Sequence, residues 1–190
     1  MLANMQEDDV RSLHARLMAY SQGKDNDDVL ACILSTWQSG NGALPQYLGL
    51  QENEYFRMLV FHFPGLNHAT LAQPGAKPDT TRQDEIDEVI KLLTANRAGN
   101  SPSELWLAVI VAMACQGQDH LWQDLGVWSR NDLSDLLYQN FPSLAGQNVK
   151  NMKWKKFIYK QLCIAEGIYT CRSPSCEVCV DYDDCFGPED

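Results

Sequence analysis

Apolar residues recur along this chain at intervals of three and four, with no sustained alternation, so the pattern predicts helices and no strands. Val10, Leu13 and Leu17, with Met18 and Tyr20 alongside, form the first face. Glu7, Asp8 and Asp9 suit the positive dipole end as its first turn. Asp25 or Asn26 can cap a second helix, whose face is Val29, Leu30, Ile33, Leu34 and Trp37 and which Gly40 stops. A third presents Tyr55, Phe56, Leu59, Val60 and Phe63 before Pro64-Gly65. Residues 66–79, rich in Pro and Gly, read as a loop, and Ile86, Val89, Ile90 and Leu93 mark the next helix.

Ser101-Pro102-Ser103-Glu104 is the clearest local signal: a serine cap, proline at the first helical position and glutamate three residues after the cap. The helix it opens, Leu105 to Cys115, is apolar nearly all round and belongs at the centre of the core. A short helical turn follows over His120 to Leu125, and Ser129 caps a segment carrying Leu133, Leu136, Leu137 and Phe141. The last helix is expected over about Gln147 to Glu166, with Trp154, Ile158, Leu162 and Ala165 on one face. Lys150, Lys153, Lys156 and Lys160 share the other. The fold class is all-α: a single helical domain, 1–166, followed by a cysteine-rich tail, 167–190.

An apolar share of 45% over 190 residues supports a true core. There is no run of about 18 apolar residues, and the acidic start MLANMQEDDV lacks a secretory pattern, so no membrane is involved and a cytoplasmic location is expected. The formal net charge of −10 argues against nucleic acid as a partner. Charge is uneven, however: Lys150, Lys153, Lys155, Lys156 and Lys160 cluster, whereas every charged residue after Arg172 is acidic.

The tail holds Cys171, Cys176, Cys179 and Cys185 in the order C-x4-C-x2-C-x5-C, with few large apolar residues to fold around. A thiolate set that dense implies a bound metal. The first two spacings, C-x4-C-x2-C, match a ferredoxin-type iron–sulfur run, while a structural zinc knot usually pairs two C-x2-C knuckles or adds histidine, so spacing favours iron–sulfur and leaves zinc open. Cys171, Cys176 and Cys179 are the leading ligands; Cys185 is either the fourth or faces an open metal position. Cys32, Cys115 and Cys163 lie within apolar periodic segments and read as small buried hydrophobes. The lysine stripe, next to the tail by connectivity, would attract a small oxyanion or an acidic protein surface. His14 and His62 read as surface or core-edge residues and His68 as a loop residue, whereas His120 could reach a shared site. Nucleophile elbows, phosphate loops and dinucleotide fingerprints are all missing, so a carrier is favoured over a catalyst.

Met152-Lys153-Trp154-Lys155-Lys156-Phe157, Lys160-Gln161-Leu162-Cys163 and the run CRSPSCEVCVDYDDCFG from Cys171 to Gly187 resemble the NifQ family of nitrogen-fixation proteins. Asp119-His120-Leu121-Trp122-Gln123-Asp124-Leu125-Gly126 also looks like a family motif, and the resemblance spans at least Gln118 to Gly187. It implies a cytoplasmic molybdenum donor for the iron–molybdenum cofactor of nitrogenase. Such a protein carries an iron–sulfur cluster of 3Fe-4S or 4Fe-4S type that accommodates molybdenum as a Mo-Fe-S unit. Its partners would be the nitrogenase cofactor assembly scaffold and the nitrogenase iron protein. On this reading Cys171, Cys176, Cys179 and Cys185 are the metal ligands, and Lys153, Lys156, Lys160 and His120 are candidates for contact with molybdate or a partner. Two other readings are an iron–sulfur electron carrier or redox sensor, and a zinc-stapled interaction module.

Overall fold

The computed structural model describes residues 2–71, 74–77, 81–165, 167 and 182–189, with side chains from Asp8 onward. Every regular element among these residues is helical, as the periodicity predicts. The long helices are α1 (Leu2–Met18), α2 (Asp27–Gln38), α3 (Glu52–His62), α4 (Gln83–Ala95) and α5 (Ser103–Ala114). Five more follow: α6 (Leu121–Leu125), α7 (Arg130–Asn140), α8 (Pro142–Ala145), α9 (Trp154–Ala165) and α10 (Tyr182–Phe186). None is long and apolar enough to cross a membrane.

The apolar helix α5 is the hub. It packs against α3, α4 and α6 and the turn at Gln46–Gly49, while α1 lies along α2 and α9 along α4. Leu107, Ala108, Ile110, Val111, Ala112 and Ala114 are all fully enclosed, although Leu105 looks outward. The predicted start signal is realised: the Ser101 hydroxyl accepts from the Ser103 N–H at 3.2 Å. The Glu104 carboxylate reaches back to the N–H groups of Gly99, Asn100 and Ser101 at 2.7, 2.7 and 3.0 Å. Ser129 likewise caps α7 through the Asp132 N–H at 3.2 Å.

Several expectations are corrected. The first helix begins at Leu2, so Glu7, Asp8 and Asp9 fall beyond its first turn, and Tyr20 lies past its end. Asn26 precedes α2 in a left-handed conformation (φ 72°) without capping it; its side chain instead exchanges hydrogen bonds with Asn140 at 2.9 and 2.8 Å. Val60 is exposed rather than part of the α3 face. The final helix starts at Trp154, not near Gln147, because Asn151 takes φ 54° and ends any continuous helix there. Asn148 then pins Met152 through both its backbone groups, at 2.9 and 2.8 Å. Lys150 and Lys153 therefore stand outside the helix that was expected to carry all four stripe lysines.

His62 is not at an edge but fully buried. Its Nδ1 lies 2.6 Å from Asp27 and its Nε2 2.8 Å from the Ser103 hydroxyl, so α2, α3 and the start of α5 meet at one imidazole. Burial pushes the His62 pKa down, despite the opposing bond to Asp27, so the ring is neutral, donating to Asp27 and accepting from Ser103. Burial alone would raise the Asp27 pKa, yet bonds from His62, Ser21 and the Lys24 N–H hold it below its ordinary range.

A second polar knot ties α9 to the opposite end of α5. All three hydrogens of the Lys155 ammonium are used: on the Gly117 carbonyl at 3.0 Å, on the Asp119 carbonyl at 2.7 Å, and on the buried Asp124 carboxylate. Gly117 must lack a side chain here, since a Cβ would fall on that carboxylate. Gly126, which ends α6 at φ 84°, meets both demands on a glycine: a left-handed backbone and Thr36 packed against it. Farther along α9, the Tyr159 hydroxyl bonds Glu85 on α4.

Both knots make measurable predictions. The unfolded chain takes up a proton that buried His62 refuses, so unfolding free energy should fall as pH drops below the histidine's ordinary 6.5. The Asp27 contribution is lost only in stronger acid, below its ordinary 3.8. Urea unfolding at stepped pH checks both, and His62→Gln should flatten the slope around 6.5. Separately, Lys155→Met leaves Asp124 a buried charge without its cation and should cost about 3 kcal/mol. Adding Asp124→Asn should recover part of that, giving a double-mutant coupling well away from zero in chemical denaturation.

Candidate functional site

Of the four tail cysteines, Cys171, Cys176 and Cys179 lie outside the described residues. Cys185 lies on α10, which runs alongside the first residues of α9. Its carbonyl accepts the Lys153 N–H at 2.7 Å, and the Lys153 ammonium bonds the Asp183 carbonyl at 2.8 Å. Cys185 and Phe186 pack on the core as half-buried residues. Two residues beyond Gly187, the buried Glu189 carboxylate lies 3.5 Å from Arg130 on α7 and 3.8 Å from the His120 ring. The end of the chain is therefore fastened at both sides of Cys185.

Connectivity suggested that the sulfurs would neighbour the lysine stripe. The structure places Cys185 beside Lys153, a member of that stripe. The chain leaves α9 at Gly167 and re-enters the described residues at Tyr182, beside the start of α9.

Next to α10 is a cleft of about 590 Å³ lined by His120, Lys153, Lys155 and Lys156 and also by Asp119, Asp184 and Glu189. Three of the four residues singled out for anion contact, His120, Lys153 and Lys156, are brought together here. Lys160 is not; it borders a separate, mostly apolar hollow with Lys150, Met152 and Phe186. Within the cleft the cations are not equivalent. Lys155 is consumed by its three acceptors and Lys153 is committed to Asp183, whereas Lys156 is exposed and makes no ion pair among the described residues. Acidic groups of the same chain meet the basic stripe, which offsets the repulsion among the lysines.

Lys155 was missed by sequence reasoning because the stripe was counted by helical spacing, which leaves it off the exposed face. The Asp119–Gly126 motif offered the clue, since it supplies the partner carboxylate of Asp124 and the Asp119 carbonyl. The rest of that motif is structural: Gln123 reaches back to the His120 N–H at 3.1 Å to close the start of α6. Trp122 lines a large cleft of about 1030 Å³ that Arg11, Thr36 and Trp128 also border, and its buried indole N–H has no partner among the described residues.

The thiols sort by burial. Cys32 and Cys115 are enclosed, and burial pushes each up to about 12, so both are protonated in the metal-free protein, as small buried hydrophobes should be. Cys163, expected to be buried, is half-exposed in the last turns of α9, where the apolar face has left the core. The fit of an iron–sulfur cluster rests on the donor set that remains: four thiols within one short segment, the last of them hydrogen-bonded through its carbonyl to Lys153, which lines the cleft. Ser103, His62 and Asp27 stand in the hydrogen-bond order of a nucleophilic triad, but Ser103 and His62 have no exposed surface. No substrate reaches them, and the role is structural.

Comparison with known proteins agrees with the motifs. The NifQ family model matches residues 29–187, a span that takes in His120, the lysines of the cleft and all four tail cysteines. Protein NifQ of Azotobacter vinelandii is 49% identical over 167 residues, covering 83% of this chain and 86% of that protein. Protein NifQ of Rhodobacter capsulatus is 37% identical over 164 residues, covering 85% of this chain and 87% of that protein. Protein NifQ of Klebsiella pneumoniae is 35% identical over 157 residues, covering 79% and 92%. No solved structure matches the chain. With a family model spanning most of its length and relatives aligned nearly end to end, this chain belongs to the NifQ family.

Proposed function

We propose that the protein acquires molybdenum on a cysteine-held iron–sulfur cluster and donates it to iron–molybdenum cofactor assembly in nitrogen fixation. Cys171, Cys176, Cys179 and Cys185 would hold the cluster. The observation that supports this most directly is the fastening of Cys185 beside the cleft walled by Lys153 and Lys156. When bound, the cluster supplies soft sulfide and thiolate ligands that favour reduced, sulfur-bound molybdenum over an oxyanion.

The chain's own residues account for the other needs of such a carrier. A molybdate dianion is repelled at long range by a net charge of −10 and needs a local cationic entry. Lys156, exposed and unpaired among the described residues, is the group best placed to receive it, with His120 and Lys153 lining the same cleft. Lys155 does not receive the anion; it holds the wall in position through Asp124. Lys160, in its separate hollow beside exposed Val149, is better placed for an acidic surface on the assembly scaffold or on the nitrogenase iron protein.

Oxygen-free preparations analysed for Mo, Fe and Zn, together with visible absorption, test the reading. Iron with sub-stoichiometric to stoichiometric molybdenum in a coloured protein supports it. A coloured, redox-active protein that never takes molybdenum indicates an electron carrier, and a colourless zinc protein indicates an interaction module. Replacing Lys156 with Glu, alone and together with Lys153→Glu, should lower the Mo:Fe ratio about tenfold at low salt while sparing iron, with the difference shrinking as salt rises. An unchanged ratio removes the cleft from the mechanism.

A further inference from the structure

We propose that His14, Asp28 and Cys32 form a second metal site, for a single divalent zinc-type ion, at the seam between α1 and α2. The His14 imidazole, an Asp28 carboxylate oxygen and the Cys32 sulfur all lie within 4.8 Å of one another. Asp28 and Cys32 are four residues apart on α2 and so share one face, and His14 meets them from α1. One nitrogen, one oxygen and one sulfur donor make a set suited to zinc with an open fourth position, and unsuited to calcium or magnesium, which prefer oxygen alone.

Geometry and surroundings both favour an ion. Zinc with bonds of about 2.0 to 2.3 Å needs neighbouring ligand atoms about 3.3–3.8 Å apart. His14 Nε2 and Asp28 stand at 3.0 Å, so they would part slightly while the widest separation closes; Asp28, three-quarters exposed, has the freedom to do so. The imidazole is held in place against Trp128 at 4.8 Å between ring centres, and the Arg11 guanidinium lies over the Trp128 ring at 5.3 Å. Burial first, and then the carboxylates of Asp28 and Asp132, hold a proton on the Cys32 sulfur in the metal-free protein. A bound divalent cation inverts that field: the thiol proton leaves to solvent as the sulfur–metal bond forms, and the carboxylates then stabilise the ion.

The site is independent of the tail. His14 and Asp28 precede the residues matched by the family model, 29–187, so two of its three donors lie outside that match. Its ion would clamp α1 to α2, which are packed along each other and already joined by the His14–Asp28 bond.

The test uses the full chain with Cys171, Cys176, Cys179 and Cys185 replaced by Ser, titrated without oxygen with cobalt(II) as a spectroscopic stand-in for zinc. The expected result is one equivalent bound, with a sulfur-to-cobalt charge-transfer band and tetrahedral visible bands, both displaced by zinc. Cys32→Ala should abolish the charge-transfer band. His14→Gln and Asp28→Asn should each weaken binding at least about tenfold. Asp28 is exposed, so that variant reports on binding even if the Cys32 change disturbs the core. Absence of a charge-transfer band in the parent, or a band that survives Cys32→Ala or is unmoved by Asp28→Asn, overturns the proposal. Neither outcome bears on the tail cluster, whose ligands are already removed.

Discussion

The position of α9 depends on one ammonium group. Lys155 enters a slot between the end of α5 and the start of α6, where two backbone carbonyls and the buried Asp124 carboxylate use its three hydrogens. Removing one partner of such an arrangement strands a charge in a low-dielectric interior, so the ammonium and the carboxylate depend on each other. From that fixed point follow the orientation of the flanking residues Lys153 and Lys156 and the contact surface offered to α10. His120 is placed by the same loop that supplies two of the acceptors. The cleft is thus a product of the α5–α6 junction as much as of α9.

Local signals were legible wherever a short stretch of chain decided its own conformation. The capping sequence at Ser101–Glu104 and the serine cap at Ser129 appear as read, and the apolar faces of α2, α4 and α5 are buried in the expected register. Readings failed where a distant partner intervened. Asn26 looked like a helix cap and instead pairs with Asn140, far along the chain. His62 looked peripheral because its ring is polar, yet Asp27 and Ser103 satisfy both nitrogens inside the core. The last helix was extended too early because nothing in its periodicity announces the left-handed Asn151.

The same distinction separates the lysines of the basic stripe. Helical spacing grouped Lys150, Lys153, Lys156 and Lys160 as equals, whereas the first two precede the helix and the four divide between two hollows, Lys153 with Lys156 and Lys150 with Lys160. Tertiary contacts then set these side chains and the neighbouring Lys155 apart from one another. Lys153 fastens the chain end, Lys155 holds the junction and Lys156 faces solvent. The reading of the cysteine quartet as one metal-binding unit rests on spacing within a short segment rather than on distant packing. Its first three members lie outside the described residues, and Cys185 is the one the structure describes.

Gly117 has a consequence for how sequences of this kind can drift. A methyl group at that position would occupy the volume of the Asp124 carboxylate, and the carboxylate is there because Lys155 needs a counter-charge. Positions 117, 124 and 155, on three different stretches of the chain, are therefore coupled. Any change that enlarges the first displaces the acid and leaves the base without its counter-charge, whereas the acid and the base can change as a pair behind an unchanged glycine.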